Sequence, residues 1–83
     1  MLFLAELYLP RGEEIGEVAR RAREGAASAA EAGGSVSFVQ AVFVPHDECC
    51  FVLFRSESAT DVATAGVRAG LEFDRISIAE AVL

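Results

Sequence analysis

His46, Asp47, Glu48, Cys49 and Cys50 stand in one run, inside the stretch VPHDECCFVLF from Val44 to Phe54. The run holds the chain's one histidine and both of its cysteines. Imidazole, thiolate and carboxylate all ligate metals, and nickel, zinc or cobalt accepts such a mixture. The candidate ligands are His46, Glu48, Cys49 and Cys50. The run lacks the paired C-x-x-C or H-x-x-x-H spacing that fixes ligand geometry. In an extended strand Cys49 and Cys50 point to opposite faces. One loop therefore offers only part of a shell, and a second subunit or a distant carboxylate such as Glu6 has to complete it.

Two other readings stand beside the metal. A cysteine with a nearby histidine can form a nucleophilic pair. Here no third group orients the imidazole, and the flanking Asp47 and Glu48 would raise a thiol pKa. The structural alternative is specific. Pro45, His46, Asp47 and Glu48 have the composition of an exposed hairpin turn, and Cys50 that of a small buried hydrophobe. A phosphate-cradling loop and a dinucleotide fingerprint find no support, because Gly33-Gly34 follows a helix instead of opening one. No catalytic group is assigned, and the residues lean away from an enzyme.

The elements that must position these residues follow from periodicity. LFLAELYL (2–9) reads as a strand ended by Pro10. Phe3, Ala5, Leu7 and Leu9 form one apolar face, and Leu2, Leu4, Glu6 and Tyr8 a mixed one. Residues 13–32 read as a helix whose stripe is Ile15, Val18, Ala19, Ala22, Ala26, Ala29 and Ala30. Glu13, Glu14 and Glu17 suit its positive end, and Gly33-Gly34 stops it. SVSFVQAVFV (35–44) and CCFVLFRS (49–56) make a hairpin across the Pro45 turn. Ser58-Ala59-Thr60-Asp61 matches a capping box, and the helix that follows turns Val62, Ala65, Gly66 and Ala69 inward up to a stop at Gly70. DRISIAE (74–80) is the last strand, with Ile76 and Ile78 on one face.

The order β-α-β-β-α-β is the split βαβ, ferredoxin-like pattern of the α+β class. It predicts one domain over residues 1–83, with a four-stranded antiparallel sheet and two helices on one of its faces. Parity places Val39, Ala41, Phe43, Cys50, Val52 and Phe54 toward the helices. It places Leu4, Glu6, Tyr8, Phe38, Gln40, Val42, Cys49, Phe51, Leu53 and Arg55 on the open face. Glu6, Gln40 and Arg55 are then polar groups set in an apolar surface. They read either as an ion pair between Glu6 and Arg55 with Gln40 on a backbone group, or as the polar lining of a small-molecule pocket.

Composition sets outer limits. Of 83 residues, 53% are apolar, and the mean hydropathy is +0.38. A chain this short hides little surface in a lone core. The surplus points to a partner surface, most simply a homodimer through the open face. The net charge of −6 argues against nucleic acid and anionic membranes as partners. No apolar run is long enough to span a bilayer. MLFLAELYLP has no basic region and carries Glu6, so it reads as a strand and not a signal peptide. Two adjacent cysteines are not a disulfide framework, which suits a reducing cytoplasm.

With these elements placed, FVPHDECCFVLFRSESATDVATAGVRAGLEFDRISIAEAV resembles a family of small bacterial proteins of ferredoxin-like fold that includes an actinobacterial nickel-binding member. The family pattern opens with an acidic turn, here Asp47-Glu48. An aromatic-Cys-apolar-aromatic-Glu strand follows, here Phe51-Val52-Leu53-Phe54-Arg55. A Ser-x-x-x-Val helix ends in Ala-Gly, here Ser58, Val62 and Ala69-Gly70. Asp74-Arg75-Ile76 opens the last strand. The family cysteine falls on Val52 and the family glutamate on Arg55, so this chain departs at both positions. The resemblance implies a cytoplasmic homodimer and favours metal binding, nickel first. The resulting expectation is a small cytoplasmic metal-binding protein. The alternative is a small-molecule-binding module or small enzyme with a pocket around Glu6, Gln40 and Arg55.

Overall fold

The computed structural model describes Met1 to Val82, and Leu83 lies outside the described residues. Strand β1 (Leu2–Tyr8) is followed by helix α1 (Ile15–Glu31) and strand β2 (Val36–Val44). A 3-10 turn (Pro45–Asp47) leads into β3 (Cys49–Ser56), then α2 (Ala59–Ala69) and β4 (Arg75–Ala79). The strands lie in the order β2-β3-β1-β4, and every neighbouring pair is antiparallel. This is the ferredoxin-like α+β arrangement. Strands β1 and β3 lie side by side at its centre.

The core lies between the sheet and the helices. Phe3, Ala5, Leu7 and Leu9 supply it from β1, and Cys50, Val52 and Phe54 from β3. Phe54 is its centre, edge-on to Phe38 at 6.4 Å between ring centroids and tilted against Phe73 at 5.9 Å. Such aromatic pairs add to the burial itself. Helix α1 buries Val18, Ala22, Gly25, Ala26 and Ala29. Gly25 takes the place in the stripe that periodicity gave to Ala30, which is exposed. The reason is a second helix: a Cβ on Gly25 would lie 2.3 Å from the Ala65 carbonyl oxygen of α2. Small residues there let the two helices approach closely, and both pack on the same face of the sheet.

Parity fails in one place. Phe38 pairs with Phe54, but Gln40 pairs with Leu53, so Val39 is an extra residue in β2. This β-bulge reverses the alternation. Phe38 therefore packs on the core beneath the Arg23 guanidinium, 4.8 Å from its ring centroid, and leaves the open face expected for it. Val39, expected inward, is exposed. Beyond the bulge Gln40 and Val42 return to the open face as expected.

The start of α2 is also more elaborate than a capping box. Ser58 Oγ accepts from the Asp61 N–H at 3.2 Å, which is half of that motif. The reciprocal bond is absent. Asp61 Oδ2 instead accepts from the Ser35 N–H at 2.8 Å, and Ser56 Oγ accepts from the Ser58 N–H at 3.2 Å. Ser56, buried, also donates to the Ser35 carbonyl. These bonds tie the start of β2 to the end of β3 and set the direction of α2. In β4, Ile76 packs on the core, whereas Ile78 is exposed.

Candidate functional site

The strand register turns the open face into a grid. One row runs Ser37, Arg55, Leu2 and Ala79 across β2, β3, β1 and β4. The next runs Gln40, Leu53, Leu4 and Ser77, and the third Val42, Phe51, Glu6 and Arg75. The fourth is Val44, Cys49 and Tyr8. Leu4, Phe51 and Leu53 are half-buried at its middle.

Glu6 and Arg55 are not brought together. Arg55 lies opposite Leu2, four residues from Glu6, or about 13 Å along the strand. Gln40 is on β2, separated from β1 by the whole width of β3. The cation beside Glu6 is Arg75, opposite it on β4 and 4.0 Å from its carboxylate. Sequence parity could not show this, because a strand's partner is set by topology and not by its own alternation.

The run from His46 to Cys50 is divided among different environments. His46 is exposed on the 3-10 turn. Glu48 closes the turn in the left-handed region, with φ 49°. Its N–H donates to the Pro45 carbonyl at 3.1 Å, and its carbonyl accepts from the Leu9 N–H at 3.0 Å. Its carboxylate accepts from the Arg11 N–H at 2.7 Å. The Arg11 guanidinium donates to the carbonyls of Pro45 at 3.4 Å and His46 at 3.2 Å. Glu48 and Arg11 thus clamp the hairpin turn to the β1–α1 loop. Arg11 carried no sequence signal for this, being an ordinary charged residue beside a glycine.

The two cysteines are free thiols on opposite faces. Cys50 is fully buried in the core between Leu7 and Phe43. Burial, and then the neighbouring Cys49, push its thiol up to about 11. That side chain cannot ligate an ion at the surface, so Cys50 leaves the candidate set and its reading as a small buried hydrophobe holds. Cys49 is half-buried on the open face. Its pKa is raised by burial first, then by the charges of Glu6, Asp47 and Asp74. Cys49 stands diagonal to Glu6, since Phe51 faces Glu6 and Tyr8 faces Cys49. Diagonal same-face neighbours stand about 7–8 Å apart, within reach of a long side chain such as that of Glu6. Asp74 is engaged, its carboxylate accepting from the Tyr8 N–H at 3.2 Å.

Cys49 and Glu6 are therefore the soft and the hard candidate ligand that share this end of the open face. Among the described residues, no three His, Cys, Asp or Glu side chains converge as a complete metal site. A separate cleft of about 430 Å³ lies on the helix side, floored by Leu7, Leu9, Val18 and Leu71 and rimmed by Glu13, Glu14 and Glu72. The two glutamates just before α1 are accounted for by its dipole.

No family model matches the chain, and no curated protein matches it significantly. Among solved structures, it is similar to the crystal structure of SCO4226 from Streptomyces coelicolor A3(2), with a TM-score of 0.76, 22% identity and 100% of both chains covered. At that identity the likeness shows the fold. No helix among the described residues is long and apolar enough to cross a membrane.

Proposed function

We propose that this protein binds a divalent transition metal on its open sheet face, nickel first, with zinc and cobalt as competitors. The observation that carries the reading is the diagonal placement of Cys49 and Glu6 on neighbouring strands at one end of the open face. A thiolate with a carboxylate suits borderline ions better than calcium or magnesium. Burial is the first cause of the raised Cys49 pKa, and the carboxylates of Glu6, Asp47 and Asp74 that add to it would favour a cation beside the thiolate. His46 stands on the turn at the same end of the sheet and is the remaining candidate from the original run. Two free thiols suit a reducing compartment, and the cytoplasm is the proposed location.

The test is calorimetric titration of tag-free protein with nickel, zinc and cobalt, in wild type, Cys49→Ala, Glu6→Gln and His46→Ala. Saturable binding that is lost with Cys49→Ala and weakened with Glu6→Gln is the expected result. His46→Ala reports whether the turn contributes. Equal binding in wild type and Cys49→Ala, or no binding to any of the three ions, overturns the reading.

A further inference from the structure

We infer that the helix-side cleft binds a small aliphatic diamine, with its ammonium ends on the carboxylates of the two walls and its alkyl body on the apolar floor. This site is separate from the proposed metal site and does not depend on it.

The cleft has the dimensions and lining of a small-molecule site. Its volume is about 430 Å³, within the roughly 300–1,000 Å³ usual for ligand pockets. Leu7, Leu9 and Val18 form a buried apolar floor. Glu13, Glu14 and Glu17 line it from the start of α1, and Glu72 and Asp74 from the loop between α2 and β4. Carboxylates from two separate segments therefore open onto one apolar floor. That arrangement suits an alkyl chain with a cation at each end.

Charge selects the occupant. Arg21 is the one cationic side chain in the lining, and it donates to Glu17 at 3.2 Å. Asp74 accepts from the Tyr8 N–H. Among the described residues, no cation stands within ion-pair distance of Glu13, Glu14 or Glu72. The dipole of α1 offsets part of the charge on Glu13 and Glu14. Glu72 has no such account. It follows the end of α2 at Ala69, and a helix C-terminus disfavours a nearby anion. Arg68, the basic residue of that last turn, donates instead to Ser28 Oγ of α1 at 2.8 Å. Glu72 is thus a carboxylate without a cation, beside the negative end of a helix, on the wall of a cleft. An ammonium group there answers both charges. An anion would meet five carboxylates and a net charge of −6.

Both walls are already in place. Before α1, the Glu13 N–H donates to the Pro10 carbonyl at 3.1 Å, and the Arg11 N–H is held by Glu48. After α2, Gly70 takes the left-handed conformation at φ 70°. The Leu71 N–H then donates to the Gly66 carbonyl at 3.0 Å, and the Asp74 N–H to the Glu6 carbonyl at 2.8 Å. Walls fixed in this way need little ordering when a ligand enters.

The experiment is an amide NMR titration of tag-free, chelator-treated protein at low ionic strength, where exposed charges are least screened. The probe is diaminopentane with an amine at each end, and pentanediol is its neutral counterpart. The expected result is saturable shifts centred on Leu9, Val18 and Leu71 with the diamine, and none with the diol. Glu72→Gln should weaken diamine binding roughly fivefold. Glu31→Gln removes the same charge at the opposite end of α1 and should leave the affinity unchanged. Glu31 and Glu72 are both exposed, so both variants keep the fold. Equal weakening by the two variants, or shifts spread over the whole acidic surface, overturns the site in favour of general charge attraction. Equal binding of the diol overturns the assignment of a cation. No saturable shift with the diamine overturns the inference outright.

Discussion

At the scale of single residues, adjacent cysteines have different fates because a strand alternates. Cys50 faces a core that excludes water, and Cys49 a surface. In dilute, chelator-treated protein, a thiol reagent should modify Cys49 in the folded state and Cys50 only after denaturant is added. Counting labelled thiols before and after urea checks this. Burial raises the Cys50 pKa from 9.0 to about 11, which gives stability a defined pH dependence. Above pH 9 the unfolded chain releases this proton while the folded chain retains it. The contribution is therefore complete below pH 9 and is lost as pH rises toward 11. Melting temperature should fall through that window in wild type, and less steeply in Cys50→Ala. The adjacency of the two thiols was legible in the sequence, as was their opposite orientation. That Glu48 clamps the turn was not legible, because its partner Arg11 reaches it only once β1 and the hairpin are side by side.

Between elements, the helix pair depends on glycine. At Gly25 an added Cβ meets the Ala65 carbonyl oxygen at 2.3 Å and the Ala69 Cβ at 2.7 Å. Neither neighbour is a flexible side-chain end. Alanine improves helix propensity by about 1 kcal/mol, but overpacking against fixed backbone costs about 1–3 kcal/mol or more. Gly25→Ala should therefore destabilise by about 2 kcal/mol in urea denaturation. Gly16 lies in the same helix with nothing within 4 Å of its Cβ position. Gly16→Ala should instead stabilise by up to about 1 kcal/mol. A second prediction belongs to β2. Deleting Val39 removes the bulge and leaves Phe38 next to Gln40, so plain alternation keeps Val36, Phe38, Ala41 and Phe43 on the core face. The deletion should therefore be tolerated, with a melting temperature close to that of Val39→Thr. Strand and helix positions were readable from alternation and from stop signals. The bulge was not, because FVQAV alternates acceptably in either register and only pairing with β3 selects one.

For the whole molecule, the proposed metal site is coupled to pH. If the ion is held by the Cys49 thiolate, its binding displaces a proton from a thiol whose pKa is already raised. Nickel affinity should fall as pH is lowered, about tenfold per unit for each thiol proton displaced. Titrations at several pH values in buffers of different ionisation enthalpy measure that proton count directly. An affinity indifferent to pH would argue that carboxylates alone hold the ion.

The sequence by itself determined the order of elements, the number of strands, the buried stripes of both helices almost to the residue, and the placing of Cys49 and Cys50 on opposite faces. Each of these depends on periodicity and on turn chemistry, which are local. Tertiary structure decided what depends on neighbours distant in the chain. Arg75 and not Arg55 stands beside Glu6, because β4 and β3 flank β1 in a fixed register. Phe38 turns inward, because the bulge answers to its partner strand. The register sets Cys49 diagonal to Glu6 across β1 and β3, while the Glu48 carboxylate accepts from the Arg11 N–H. A run of chemically suggestive residues was divided by the fold among different environments. Side-chain alternation is set within a strand, but which strand lies beside it is set by the packing of the whole chain.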